Sequence, residues 1–164
     1  MKHKKKTLRL KFHGRIIDHL GIQMYQSPVA AVAELISNAW DADAEQVKIN
    51  LPTNIGYDST LIVKDNGIGM TFEECQERFL NVGWCRRGNS PNERTKEKDR
   101  PVLGRKGIGK FAGFGIASVI KIETINKHTG EKIEFDLDIN DLRSDEYIES
   151  SGGKIDVISY SPPD

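Results

Sequence analysis

The chain has 164 residues, 37% of them hydrophobic and 29% charged, the size and balance of one globular domain with enough apolar material for a real core. Lys+Arg and Asp+Glu both number 24, so a formal net charge of zero makes no global electrostatic case for nucleic acid, and no apolar run approaches membrane-spanning length. Cys75 and Cys85 lack the spacing of a metal site, and with four scattered histidines they argue against zinc and for reduced thiols in a cytoplasmic protein.

Residues 1–7 open on MKHKKK, a basic cluster with no apolar core behind it, and read as a solvated tail rather than a signal peptide. Leu8 to Phe12 suggests a short strand, and Arg15 to Leu20 a brief helix ended by Gly21. Ser27-Pro28 is a helix start, with a hydroxyl that can cap free amides and a proline where its missing N–H is harmless. The helix is expected to run to Ala44, with Val29, Val32, Ala33, Ile36, Ala39 and Trp40 as its apolar face. Glu34, Asn38 and Asp41 stack along one line of it. Taken alone, that line is either a solvated polar stripe or a set of chemical groups.

Gln46 to Leu51 alternates as a half-buried strand does, Pro52 to Asp58 is turn-like, and Ser59 to Lys64 is β-prone, so the pair is expected to form an antiparallel hairpin. The second strand delivers the chain into Asp65-Asn66-Gly67-Ile68-Gly69-Met70, where two glycines allow close approach to a ligand. Thr71-Phe72-Glu73-Glu74 matches a capping box, opening a helix expected to reach about Val82. Gly83 to Gly104 is rich in Arg, Lys, Asn, Ser and Pro; a loop this long is a functional lid or a plain mobile insertion. It ends in Gly104-Arg105-Lys106-Gly107-Ile108-Gly109-Lys110, glycines entering a helical stretch, Phe111 to Ser118, of the kind that receives anions. Val119 to Lys127 and Glu131 to Ile139 predict a second hairpin turning at His128-Thr129-Gly130. Asp141 to Glu149 is polar, a short helix or loop, and Lys154 to Tyr160 a last strand.

The second glycine cluster fits two common phosphate motifs poorly. Gly104 with Gly109-Lys110 is nearly a P-loop, but Phe111 stands where the Mg²⁺-binding hydroxyl belongs. Gly107-x-Gly109-x-x-Ala112 matches a dinucleotide fingerprint, but a basic loop rather than a hydrophobic strand leads into it. Taken together, ELISNAWDADA, DNGIGM and GRKGIGKFA, in that order, resemble the N, G1 and G2 boxes of the GHKL superfamily of gyrase B, heat-shock chaperone, MutL, MORC and histidine kinase ATPases. The resemblance covers roughly residues 26–118, and the Asn-Ala-x-Asp-Ala-x-Ala run looks closer to MutL and MORC than to histidine kinases.

The resemblance implies an α/β (α+β) two-layer sandwich of the Bergerat ATP-binding type, with a mixed, mostly antiparallel sheet and helices on one face. It implies ATP and Mg²⁺ as cofactors. Glu34 then matches the general base, Asn38 the Mg²⁺ ligand, and Asp65 the carboxylate that meets the adenine amino group. Gly67, Gly69 and Met70 match contacts around the base, and Gly107, Ile108, Gly109 and Lys110 the phosphate cradle. Asn81 and Arg105 are further candidates from the lid, and Asp41 either contacts nucleotide or supports the pocket from behind. A base that takes a proton from water favours a partly desolvated carboxylate at Glu34, and a buried charge-assisted hydrogen bond is expected at Asp65. The family's late strand carries a threonine that reaches adenine through water, for which this sequence offers no clear position. A following domain often adds a phosphate-binding lysine, so the chain reads as an amino-terminal module of a longer protein, with slow turnover alone. The implied action is nucleotide-driven closure of the lid over 83–104, with an ATP-dependent homodimer or downstream domains as partners. An ATP-gated interaction domain with negligible turnover and a histidine kinase ATP-binding domain are the alternatives. Nucleic acid is possible but not indicated by charge, and no membrane is expected.

Overall fold

The computed structural model describes residues 7–9, 27–53, 59–81, 93–104, 109–138, 141 and 154–163, with backbone only at 7–9, 110 and 111. The helix expected over 15–20 and most of the polar stretch 141–149 lie outside them. In chain order come β1 (Thr7–Arg9), α1 (Pro28–Asp41), β2 (Val47–Asn50), β3 (Ile62–Asp65), α2 (Phe72–Glu74) running into a π turn (Cys75–Phe79), a 3₁₀ helix (Gly109–Gly115), β4 (Val119–Ile125), β5 (Lys132–Asp138) and β6 (Lys154–Ser161). β1 begins at Thr7, one residue before the expected strand start at Leu8.

β5 alternates without a fault: Ile133, Phe135 and Leu137 are buried, with Lys132, Glu134, Asp136 and Asp138 on the other side. It pairs with β4 from Val119 opposite Asp138 to Ile125 opposite Lys132, and with β6 through a register shift at Glu134/Phe135. β1 adds to the far edge of β6, giving the order β1-β6-β5-β4, while β2 and β3 form a separate two-stranded ribbon. Every strand pairing among the described residues is antiparallel. Helices and antiparallel sheets thus make the α/β architecture expected.

The core forms where the α2–π segment lays Cys75 and Leu80 on Ile133, Phe135, Leu137 and Ile155. Phe79 meets Phe135 edge-on at 6.2 Å, and Phe72 meets Tyr160 at 5.9 Å. The capping box is present: Thr71 Oγ1 accepts the Glu74 N–H at 3.1 Å and Glu74 Oε2 accepts the Thr71 N–H at 3.2 Å. The helix does not continue to Val82 in α geometry. Leu80 N–H instead donates to the Cys75 carbonyl at 2.8 Å, an i→i+5 closure. The wider turn brings Cys75 and Leu80, both 0% exposed, onto the same face, where α spacing would part them. Burial, with the charges of Glu131 and Glu74, pushes the Cys75 thiol up to about 12, so this cysteine is an inert core residue.

α1 departs from expectation at both ends and on one face. Ser27 makes no side-chain cap; its carbonyl accepts the Ala31 N–H at 3.2 Å, with Pro28 in the first turn as predicted. The helix stops at Asp41, where Asp43 takes a left-handed conformation (φ 62°) and the Asp43 and Ala44 N–H groups return to Trp40 and Ala39, each at 3.0 Å. Ala31 and Ala39 are buried, but Val29 is 78% exposed and Ile36 and Trp40 about 40%. The apolar face read from spacing is therefore only half used. The inward line is set by close approach to the 3₁₀ helix, which small alanines permit.

Within the segment read as a lid or a mobile insertion, residues 93–104 are folded. Arg94 bridges Pro101 in antiparallel fashion, Thr95 N–H bonds to the Arg100 carbonyl at 2.9 Å, and Val102 is 1% exposed. Residues 93–104 form a stem.

Candidate functional site

Glu34 and Asn38 lie one turn apart on the half-buried side of α1, where the 3₁₀ helix packs. Asn38 Nδ2 donates to the Gly109 carbonyl at 3.4 Å. Gly109 approaches so closely that a Cβ there would run into the Glu34 carboxylate, with Asn38 Oδ1 at 4.0 Å. The first residue of the 3₁₀ helix thus touches both candidate chemical groups at once. Arg105, Gly107 and Ile108 lie outside the described residues, as does the side chain of Lys110.

The DNGIGM turn is fastened a little further along the same helix. Ile68 N–H donates to the Ala42 carbonyl at 2.8 Å, and Asn66 Oδ1 accepts the N–H groups of Glu45 and Gln46, both at 2.8 Å. From Glu34 to Ala42 the chain rises about 12 Å, so both glycine clusters meet α1 within roughly two turns. Asp65 Oδ1 accepts the Gly67 N–H at 2.9 Å, which shapes the turn. Asp65 itself is exposed, so the buried carboxylate expected there is not found. Gly69 has φ 64°, and its Cα lies so near the Ile125 carbonyl that a Cβ would overlap the oxygen. The Met70 N–H donates to Thr124 Oγ1 at 2.9 Å.

Asp41 is the last residue of α1. Its carboxylate accepts the N–H groups of Leu103 and Gly104 at 2.7 and 2.8 Å, which moors the stem where it runs into the second glycine cluster. Two residues on, buried Asp43 accepts the Glu97 N–H at 2.9 Å. Burial alone would raise Asp43, but hydrogen bonds from Thr95 and the Glu97 and Lys98 amides, with the Arg100 charge, hold it below the usual carboxylate range. The Asp-Ala-Asp run is therefore a mount for the stem. Arg100 completes it, bonding the Ala44 carbonyl at 2.7 Å and lying 4.5 Å over the Trp40 ring, whose Nε1–H donates to the Pro101 carbonyl at 3.0 Å. Asn81 is half-buried just past the π turn.

Sequence reasoning passed over Thr124, Asn126 and Glu131, which are 8%, 6% and 5% exposed. Asn126 Oδ1 accepts the His128 and Thr129 N–H groups at 3.0 Å, closing the β4–β5 turn. Glu131 accepts the Phe72 N–H at 3.2 Å and the Tyr160 hydroxyl at 2.8 Å. The available signal was periodicity: Thr124 follows Ile120 and Ile122 at the inward positions of β4, where a polar side chain needs a partner. A hollow of about 440 Å³ lined by Ile36, Trp40, Ala44, Glu45, Val47 and Arg100 contains none of the candidate site residues.

An α/β chain that brings two glycine clusters to one helix carrying a carboxylate and a carboxamide defines a nucleotide-binding module. The family model of the "Histidine kinase-, DNA gyrase B-, and HSP90-like ATPase" matches residues 25–159, and the chain belongs to that family as an ATP-binding module of the GHKL type. It is 37% identical over 113 residues to a putative type II restriction enzyme HgiDII of Herpetosiphon aurantiacus, covering 69% of this chain and 17% of that protein. It is 33% identical over 128 residues to the chaperone protein HtpG of Burkholderia cenocepacia (strain HI2424), covering 65% of this chain and 20% of HtpG. The HtpG of Fusobacterium nucleatum subsp. nucleatum is 30% identical over 132 residues, covering 68% and 21%. The chain thus spans about a fifth of the length of these curated relatives.

Proposed function

We propose that this chain binds and hydrolyses Mg²⁺-ATP, with Glu34 as the general base, and that nucleotide controls the position of the 93–104 stem. The reading rests on one observation: Glu34 and Asn38 both face Gly109, a glycine of the phosphate-type cluster. A half-buried carboxylate one helical turn from a carboxamide is placed to take a proton from water beside a terminal phosphate. With Nδ2 committed to Gly109, the Asn38 amide oxygen is the atom left for a hard cation, and one neutral oxygen suits Mg²⁺, which draws its other ligands from phosphate and water. When bound, that ion neutralises charge on the triphosphate. Gly107, Ile108 and Lys110 would complete the phosphate cradle, and Asp65, Gly67, Gly69 and Met70 the adenine end. Movement of the stem would drive dimerisation or engagement of further domains, and turnover of the isolated module is slow. Arg105 and Asn81 would meet the nucleotide from the stem side.

Single-turnover hydrolysis with calorimetric ATP binding tests this. Glu34→Ala is expected to keep ATP binding and lose about 10²–10⁴ in rate. Hydrolysis at the wild-type rate in Glu34→Ala would put the base elsewhere.

A further inference from the structure

Asp65 shapes the first half of the DNGIGM turn from within, but the second half is held from outside. Its Ile68 carbonyl accepts the Lys127 N–H at 2.9 Å, and Gly69 lies directly against the Ile125 carbonyl. The next amide, Met70 N–H, meets no backbone acceptor on the β4–β5 hairpin; a side chain supplies it, Thr124 Oγ1 at 2.9 Å. Thr124 is 8% exposed and occupies an inward position of β4 that its neighbours on that face fill with isoleucine. A hydroxyl there gains nothing for the apolar core. Its one visible task is to receive the Met70 N–H, and without it that part-buried amide would have to turn away to find water.

We propose that Thr124 is a positioning residue for nucleotide binding: by accepting the Met70 N–H it sets the shape of the turn that meets the adenine, and so contributes to adenine selectivity. The inference rests on the ATP reading above. Thr124 touches no reacting atom; it acts through Gly69 and Met70. Thr124→Val keeps the branched shape and removes the acceptor, whereas Thr124→Ser keeps the hydroxyl and removes a methyl group. The affected atoms are at the base end, so the loss falls on recognition of the base rather than on the phosphates.

Calorimetric titration of the full chain with Mg²⁺-ATP and Mg²⁺-GTP, alongside melting curves, makes the test. Thr124→Val is expected to weaken ATP about tenfold and GTP far less, narrowing the ATP/GTP ratio, while Thr124→Ser stays near wild type. A merely structural role would lower the melting temperature and leave the ratio unchanged; an unchanged ratio in Thr124→Val overturns this inference alone. Amide exchange on the wild-type chain gives a second reading if the valine variant does not fold: the Met70 amide must be protected before nucleotide is added. Rapid exchange there overturns the positioning role. Absence of any ATP binding by the wild type overturns the ATP reading and this inference with it.

Discussion

The DNGIGM turn and the 93–104 stem are tied to the same end of α1, yet by different chemistry. The turn is fastened to its neighbours by shape and neutral hydrogen bonds: Gly69 against Ile125, Ile68 on Ala42, Met70 on Thr124. The stem is held by carboxylates. Asp41 and Asp43 take its amides, and side-chain pairs tie Glu97 to Lys127 and His128, Glu45 to Lys98 and Glu74 to Lys96. Contacts of the first kind are insensitive to salt and proton concentration, and those of the second kind are not. The fastening of one region answers to neither variable, and that of the other answers to both. That division suits the proposed site, in which the turn assigned to the base stays put while the stem beside the proposed phosphate cradle moves.

The hardest test of the fixed half is Gly69→Ala. A methyl at φ 64° would overlap the Ile125 carbonyl, and neither the β4 backbone nor the turn can retreat alone. The left-handed conformation costs about 1–2 kcal/mol for an L-residue before any clash, and the displaced hairpin raises the loss to about 3 kcal/mol or more. Denaturant unfolding should show that loss together with failure to bind ATP. A variant that melts and binds like wild type would mean the turn is not pressed against β4 as described.

Much of this division is legible in the sequence alone, because the chemistry is written in contiguous runs. Asp65 to Met70 and Gly104 to Lys110 announce themselves by glycine spacing, and the β4–β5 alternation survives intact, while β6 slips phase at Ile158 and Ser159, where the register shifts. The missing parts are long-range. Nothing near Asp41 in the chain says that its partners are Leu103 and Gly104, and Thr124 looks like an ordinary strand residue until Met70 is seen beside it. The π turn escaped because a capping box predicts where a helix begins, not the five-residue spacing of Cys75 and Leu80 that re-winds it. The apolar stripe of α1 was misjudged because periodicity identifies a greasy face without saying how much of it is covered: Val29 stays out, and Ala31 goes in.

Acid should separate the two halves next. Asp43 and Glu74 are both held below the ordinary carboxylate range: for each, burial opposes the charge but hydrogen bonds and nearby cations outweigh it, Lys96, the Thr71 amide and Arg78 in the case of Glu74. A carboxylate with a depressed native pKa stabilises the fold above its unfolded value, and that contribution is lost as pH falls through the native value. The stem should therefore hold through neutral and mildly acid pH and loosen only below about pH 4, the unperturbed carboxylate value. Trp40 reports it, since its indole N–H bonds to Pro101 and its ring lies under Arg100. In a Trp84→Phe background the Trp40 emission should shift below that pH while the Met70 amide stays protected. Loss of both together would show that the halves are one unit.

The smallest effect discriminates most finely. Glu97 faces Lys127 at 3.1 Å and His128 at 3.0 Å, and both partners are more than half exposed. Exposed pairs of this kind contribute about 0.2–1 kcal/mol each and fade with salt. Glu97→Gln should thus raise stem amide exchange only severalfold at low salt, and added salt should make the wild type resemble it. Lys127 also carries the backbone N–H that holds Ile68, so this pair, like Lys98–Glu45, whose Glu45 N–H binds Asn66 Oδ1, joins the stem to the DNGIGM turn. If the two regions are as independent as their chemistry says, Glu97→Gln leaves the Met70 amide and ATP affinity unchanged. A matching loss of protection at Met70 would show that the side-chain pair transmits strain through the Lys127 backbone, and the stem would then have to be counted as part of the proposed adenine site.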